Sequence, residues 1–179
     1  MSGPFANHDR VSRCLRVLGI DPGLAITGYG LIEDSQSGRL KVLEAGYIKT
    51  SPSSGIGNRL AKIYTGLEGL VKEARPAVIA LEGLYSHYKH PTSVIMMGHA
   101  RGIVCLLAGI QKIRLVNYPA TKIKKAITGN GHASKTQVQR TVQGLLGLKA
   151  APEPVDVSDA LAAALSHFYI DKKRCIYDQ

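Results

Sequence analysis

Residues 16–33 read RVLGIDPGLAITGYGLIE, and the fold turns on them. Arg16 to Asp21 is a short apolar run that closes on an acid. Pro22-Gly23 is a strong turn signal, and Thr27 to Glu33 returns as a second strand. Asp34-Ser35-Gln36-Ser37-Gly38 supplies another turn before a third strand, Leu40 to Thr50. Three strands joined by short connections describe an antiparallel meander.

Beyond the meander the pattern changes. Ser51 to Gly57 is rich in Ser, Pro and Gly and reads as a loop. Leu60, Ile63, Tyr64, Leu67, Leu70 and Val71 then recur at helical spacing until Pro76. Ala77 to Leu81 (AVIAL) is a continuous apolar run, typical of a strand covered on both faces, and it ends at Glu82. A polar and aromatic loop, Gly83 to Pro91, precedes a helix from Ser93 to Ala108. Ile113 to Tyr118 reads as a fifth strand. Helices follow over Pro119 to Ile127, Ser134 to Leu146 and Asp156 to Ile170, with Gly129-Asn130-Gly131 between the first two. This order predicts an α/β fold, a mixed five-stranded sheet with helices on both faces. Residues 1–15 read as a flexible leader, 16–171 as one domain and 172–179 as a tail.

The chain has 179 residues, with 23 Lys and Arg against 13 Asp and Glu, a formal charge of +10. That surplus points to a polyanionic partner, nucleic acid first and an acidic membrane surface second; a merely soluble basic surface is the plain alternative. Cys14, Cys105 and Cys175 are odd in number and never form CxxC, which argues against a disulfide framework and against a zinc site. The apolar stretches fall short of a membrane span, and the first 14 residues lack the apolar core of a signal peptide. The expected location is cytoplasmic, without a membrane partner.

With so few acids, their placement is informative. Asp21 and Glu82 each end an apolar strand. Asp156 and Asp159 stand at i and i+3 at the start of the final helix and share one face. Singly each has a plain explanation: a turn residue, a strand end at solvent, an N-cap with its N3 partner. Together they form an all-oxygen donor set of the kind a hard cation such as magnesium takes. Two such ions, about 4 Å apart, would serve phosphodiester hydrolysis. The six histidines lack ligand spacing, and no serine sits in a GxSxG elbow.

Residues 18–31 (LGIDPGLAITGYGL), 81–85 (LEGLY) and 155–162 (VDVSDALA) resemble the three acidic motifs of the RuvC resolvases. Residues 129–139 (GNGHASKTQVQ) resemble that family's basic DNA-contacting segment, and the likeness runs from Arg16 to Tyr169. It implies an RNase H-like fold, a homodimer, and magnesium-dependent hydrolysis with manganese able to substitute. The implied activity is paired nicking of opposing strands at a four-way DNA (Holliday) junction in recombination and repair, beside a branch-migration helicase complex. Matched by position, the metal-binding carboxylates are Asp21, Glu82, Asp156 and Asp159. Lys124 and Lys135 match basic residues near the scissile strand, and Tyr85 matches an aromatic that stacks at the junction centre. The helix Ser93 to Ala108 is apolar over more of its circumference than one core face requires; the resemblance makes it the dimer seam, with Gly98, Ala100 and Gly102 allowing close approach and Met96 and Met97 filling gaps, and a helix buried within the monomer is the plain alternative.

Two departures stand out: a longer leader before Arg16, and a loop Ser86 to Pro91 (SHYKHP) rich in His, Tyr and Lys. For Lys122 and Lys125 a solvated helix face is the better reading, and Tyr88 is as readily a loop aromatic folded onto the core. Three rival classes remain. A phosphate-binding domain of the actin and sugar-kinase type would need a second domain and a second phosphate motif. A non-catalytic junction binder would have no use for the four acids, and another RNase H-like nuclease would keep the chemistry on a different substrate.

Overall fold

The computed structural model describes residues 14–35, 39–83 and 91–177. Strands β1 (Arg16–Asp21), β2 (Ile26–Asp34) and β3 (Leu40–Lys49) form the meander; β4 (Val78–Glu82) and β5 (Arg114–Tyr118) complete the sheet. The strand order is β3-β2-β1-β4-β5, antiparallel through β3, β2 and β1 and parallel through β1, β4 and β5. This is the RNase H-like arrangement. The β1–β2 connection is clamped from within: the Thr27 hydroxyl donates to the Gly23 carbonyl and the buried Thr50 hydroxyl to that of Leu24.

Strand parity divides the core in two. On one face Leu18, Ile20, Leu31, Ile79 and Leu81 pack with Ile63, Leu67 and Val71 of α1 (Ile56–Ala74) and with Ala100, Val104 and Leu107 of α2 (Pro91–Ile110). On the other, Val17, Ile32, Val78 and Ala80 meet α3 (Ala120–Thr128), α4 (Lys135–Leu145) and above all α5 (Val155–Tyr177) through Leu161, Ala164, Leu165 and Phe168. Side chains alternate along a strand. Asp21 therefore shares the α5 face with Val17, and Glu82 shares it with Val78 and Ala80.

Helix α5 lies unusually close to the sheet. A Cβ on Gly19 would stand 1.9 Å from the carbonyl oxygen of Ala160, and one on Gly28 would stand 2.1 Å from that of Asp156. Only glycine permits this approach at those two positions. Gly28 is also the register partner of Asp21, so a single residue joins the β1 acid to the start of α5.

Several expectations need correction. Helix α1 starts at Ile56, inside the stretch read as a loop, because the inward Ile63, Leu67 and Leu70 hold the helix and outweigh the local glycines. Helix α5 continues to Tyr177, past the Ile170 expected as its end. Asp156 lies within the first turn of α5 rather than at its N-cap. Helix α2 spans Pro91–Ile110, and its segment Thr92–Ile110, with mean hydropathy 1.6, is long and apolar enough to cross a membrane. The expectation that no apolar stretch reaches that length fails. Only 22% of that segment is buried within the chain, and Ile95, Leu106 and Ile110 are exposed. Of the expected seam residues, Gly102 faces outward, whereas Ala100 is fully buried and Met96 packs on the inner core.

Candidate active site

The last β1–β4 register pair is Ile20↔Leu81, so Asp21 and Glu82 follow it on neighbouring parallel strands at their carboxyl ends. Open α/β sheets bind ligands at such an edge. Asp21, Glu82 and Asp159 line one cleft of about 250 Å³, together with Lys124 of α3, Lys135 of α4 and Met97 and Arg101 of α2. Lys135 is held at the first position of α4 by a capping box: Ser134 accepts from the Gln137 backbone N–H, and the Gln137 side chain accepts from that of Ser134. Asp156 sits one turn before the cleft wall, at the positive end of the α5 dipole.

The carboxylates are held in mutual conflict. Asp21 is pushed from its ordinary 3.8 to about 7, first by burial and then by the charges of Asp159, Asp156 and Glu82, with Lys135 opposing. Burial also raises Glu82, aided by Asp159 and countered by Lys124 and Lys135. Asp159 is raised by burial and by Asp156, and lowered by Lys135 and Lys124. Desolvation and like charge both disfavour ionisation, and a cation among these groups would relieve both.

Among the described residues, no three His, Cys, Asp or Glu side chains already stand in a metal-holding group. The donor chemistry nonetheless fits a hard divalent cation, being all carboxylate oxygen in a partly desolvated cleft.

The family model described as crossover junction endodeoxyribonuclease RuvC matches residues 17–167. The chain belongs to the RuvC family. It is thus an endodeoxyribonuclease, a hydrolase. A RuvC from Rhodopirellula baltica is 44% identical over 154 residues, 86% of each chain. The Thermus thermophilus RuvC structure superposes with TM-score 0.81 at 31% identity, covering 89% of this chain and 97% of that one. The same T. thermophilus protein, solved in complex with a Holliday junction substrate, also gives 0.81, at 28% identity over 89% and 96% of the two chains.

Of the sites the RuvC resemblance implies, the structure brings Asp21, Glu82, Asp159, Lys124 and Lys135 to one cleft. It sets Asp156 close enough to act on both Asp21 and Asp159. Tyr85 and Tyr88 lie outside the described residues. Lys122 and Lys125 line a separate surface hollow with Gly129 to His132, and the Lys122 ammonium lies 5.8 Å from the Tyr118 ring centroid.

Sequence reasoning missed Arg101. Its guanidinium Nη1 donates to the Glu82 carbonyl at 2.7 Å and its Nη2 to the Asn117 side-chain oxygen. The available signal was its isolation, since Arg101 is the only Asp, Glu, Lys or Arg of α2. The close approaches at Gly19 and Gly28 were missed too, although both glycines lie inside the first motif.

Proposed function

We propose that the chain resolves Holliday junctions as a homodimer, by paired, symmetric nicking of opposing strands, with Asp21, Glu82, Asp156 and Asp159 holding two magnesium ions. The observation that carries this reading is the convergence of acids from β1, β4 and α5 on one cleft faced by Lys124 and Lys135. Bound there, the ions would polarise the scissile phosphate and ease deprotonation of water, with manganese as a substitute. Lys124 and Lys135 neutralise phosphate at the cleft mouth and orient the strand. Tyr85 is assigned base stacking on the family resemblance alone.

Dimerisation through α2 is supported by its outward Ile95, Gly102, Leu106 and Ile110, an apolar face exposed among the described residues. An isologous pair sets two clefts about one axis, matching the two-fold symmetry of a four-way junction. We place the nuclease domain at residues 16–171, the protein in the cytoplasm, and a branch-migration helicase complex beside it.

The test is incubation with an immobile four-way junction and a matched duplex, in magnesium or in EDTA, for the wild type and Asp21→Asn. Selective, magnesium-dependent cutting of the junction is expected, abolished in Asp21→Asn with junction binding kept. Near wild-type cutting by Asp21→Asn would remove the carboxylate mechanism. Sedimentation at micromolar concentration should show a dimer, and Gly102→Glu should give monomers whose two nicks in a cruciform are uncoupled.

A further inference from the structure

Helix α2 presents three faces. Ala100, Val104 and Leu107 enter the core, while Ile95, Leu106 and Ile110 face outward. Met97 and Arg101, one turn apart, face the cleft. A lone guanidinium on so apolar a helix is there for a reason, and its hydrogen bonds state it. Arg101 spans two strands: it donates to the Glu82 carbonyl on β4 and to the Asn117 side chain on β5. Asn117 is the register partner of Leu81, and the next pair is Glu82↔Tyr118. The Gly83 N–H donates to the Tyr118 carbonyl at 2.8 Å. The end of β4 is therefore gripped at Gly83 by the β5 backbone and at Glu82 by Arg101.

The charges acting on the Glu82 carboxyl are those of Asp159, Lys124 and Lys135. Arg101 is engaged with the main-chain oxygen of the same residue. A planar fork of N–H donors can hold two oxygens in fixed geometry, which a single ammonium holds far less well.

We propose that Arg101 is a positioning residue: anchored on Asn117, it holds the Glu82 carbonyl and so fixes how the Glu82 carboxylate enters the cleft for divalent-metal binding. The inference rests on the reading of the cleft as a metal-dependent nuclease site. Outer partners that orient ligating carboxylates characteristically cost about 10–100-fold in metal affinity when removed.

The test compares wild type, Arg101→Lys, Arg101→Met, Asn117→Ala and Asn117→Asp. It measures manganese affinity by calorimetry without DNA, the salt dependence of junction binding in EDTA, single-turnover cleavage in magnesium, and thermal midpoint. Arg101→Lys should lose about tenfold or more in manganese affinity and in cleavage rate, with an unchanged salt slope, because the charge is kept and the fork is lost. Asn117→Ala should reproduce part of that loss with Arg101 still present, and Asn117→Asp should restore it by keeping an acceptor oxygen. Should Arg101→Met fail to fold, Arg101→Lys and Asn117→Ala carry the test.

Full rescue by Arg101→Lys together with a silent Asn117→Ala would make Arg101 a phosphate contact and overturn the proposal. Wild-type manganese affinity in all four variants would overturn it as well. A wild type that neither binds manganese nor cuts the junction would instead strike the nuclease reading itself, and the proposal with it.

Discussion

Replacing Gly28 with alanine tests the seating of α5 most directly. The new Cβ would lie 2.1 Å from the Asp156 carbonyl oxygen, 2.3 Å from its carbon and 2.9 Å from the Val157 nitrogen. All three are backbone atoms, so no side chain can swing aside. Restoring ordinary contact requires the start of α5 to retreat by about 1.3 Å, or β2 to bend by as much. Overpacking of this kind costs about 1–3 kcal/mol, which a domain of this size can survive. The catalytic cost should be larger than the structural one. A constellation of ligands tolerates about 0.5 Å of error, and a misplacement near 1 Å costs about a hundredfold in rate. Gly28→Ala should therefore fold with a lowered thermal midpoint, bind a four-way junction normally, and cut it at least about a hundred times more slowly. Single-turnover cleavage, gel-shift binding and thermal melts on one preparation measure all three. Cleavage within threefold of wild type would show that the closeness of α5 to β2 has no part in assembling the acids.

Other outcomes follow from the same structure. Gly69→Ala, in α1 with open space around the added methyl, should stabilise the protein by about 0.5–1 kcal/mol and leave cleavage untouched, as thermal melts and the junction assay would show. Because folding raises Asp21 from 3.8 to about 7, the native state holds the extra proton between those values. Stability without metal should fall as pH rises through that window, and magnesium should raise the thermal midpoint more at pH 8 than at pH 5. Equal shifts at both would remove the conflict among the acids. Lys124→Ala and Lys135→Ala should each flatten the salt dependence of junction binding by about one unit of slope, read from titrations over a range of salt. Calcium should support junction binding without turnover, since it takes the same oxygens at longer distances; efficient cutting in calcium alone would contradict a tight metal geometry.

Much of the fold could be read from sequence because its signals are local. The DPG turn, the run AVIAL and the proline breaks marked where strands begin and end. Asp21 and Glu82 stood out because each acid closes an apolar strand, and strand parity then puts both on one face. Asp156 and Asp159 were linked by helical spacing alone. What escaped depends on contacts across the fold. Nothing near Gly28 in sequence says that Asp156 will rest on it. A helix apolar over most of its circumference, as α2 is, does not declare which side faces inward, so Ala100 and Met96 were assigned to a seam when they belong to the core. Arg101 was hidden for a related reason: its partners, Glu82 and Asn117, lie on two strands distant from it in sequence.

The seating of α5 on the first hairpin also bears on when the proposed site can be assembled. Asp21 is near the beginning of the chain and Asp159 near its end, and the helix carrying the latter packs on β1 and β2, the elements made first. The meander and β4 precede α5 in the chain, so Asp21 and Glu82 are synthesised before Asp156 and Asp159. Long-range closure of this kind comes late in folding, after local structure. If the four acids form the site as proposed, a chain without α5 lacks Asp156 and Asp159, and cutting is expected only once that helix docks.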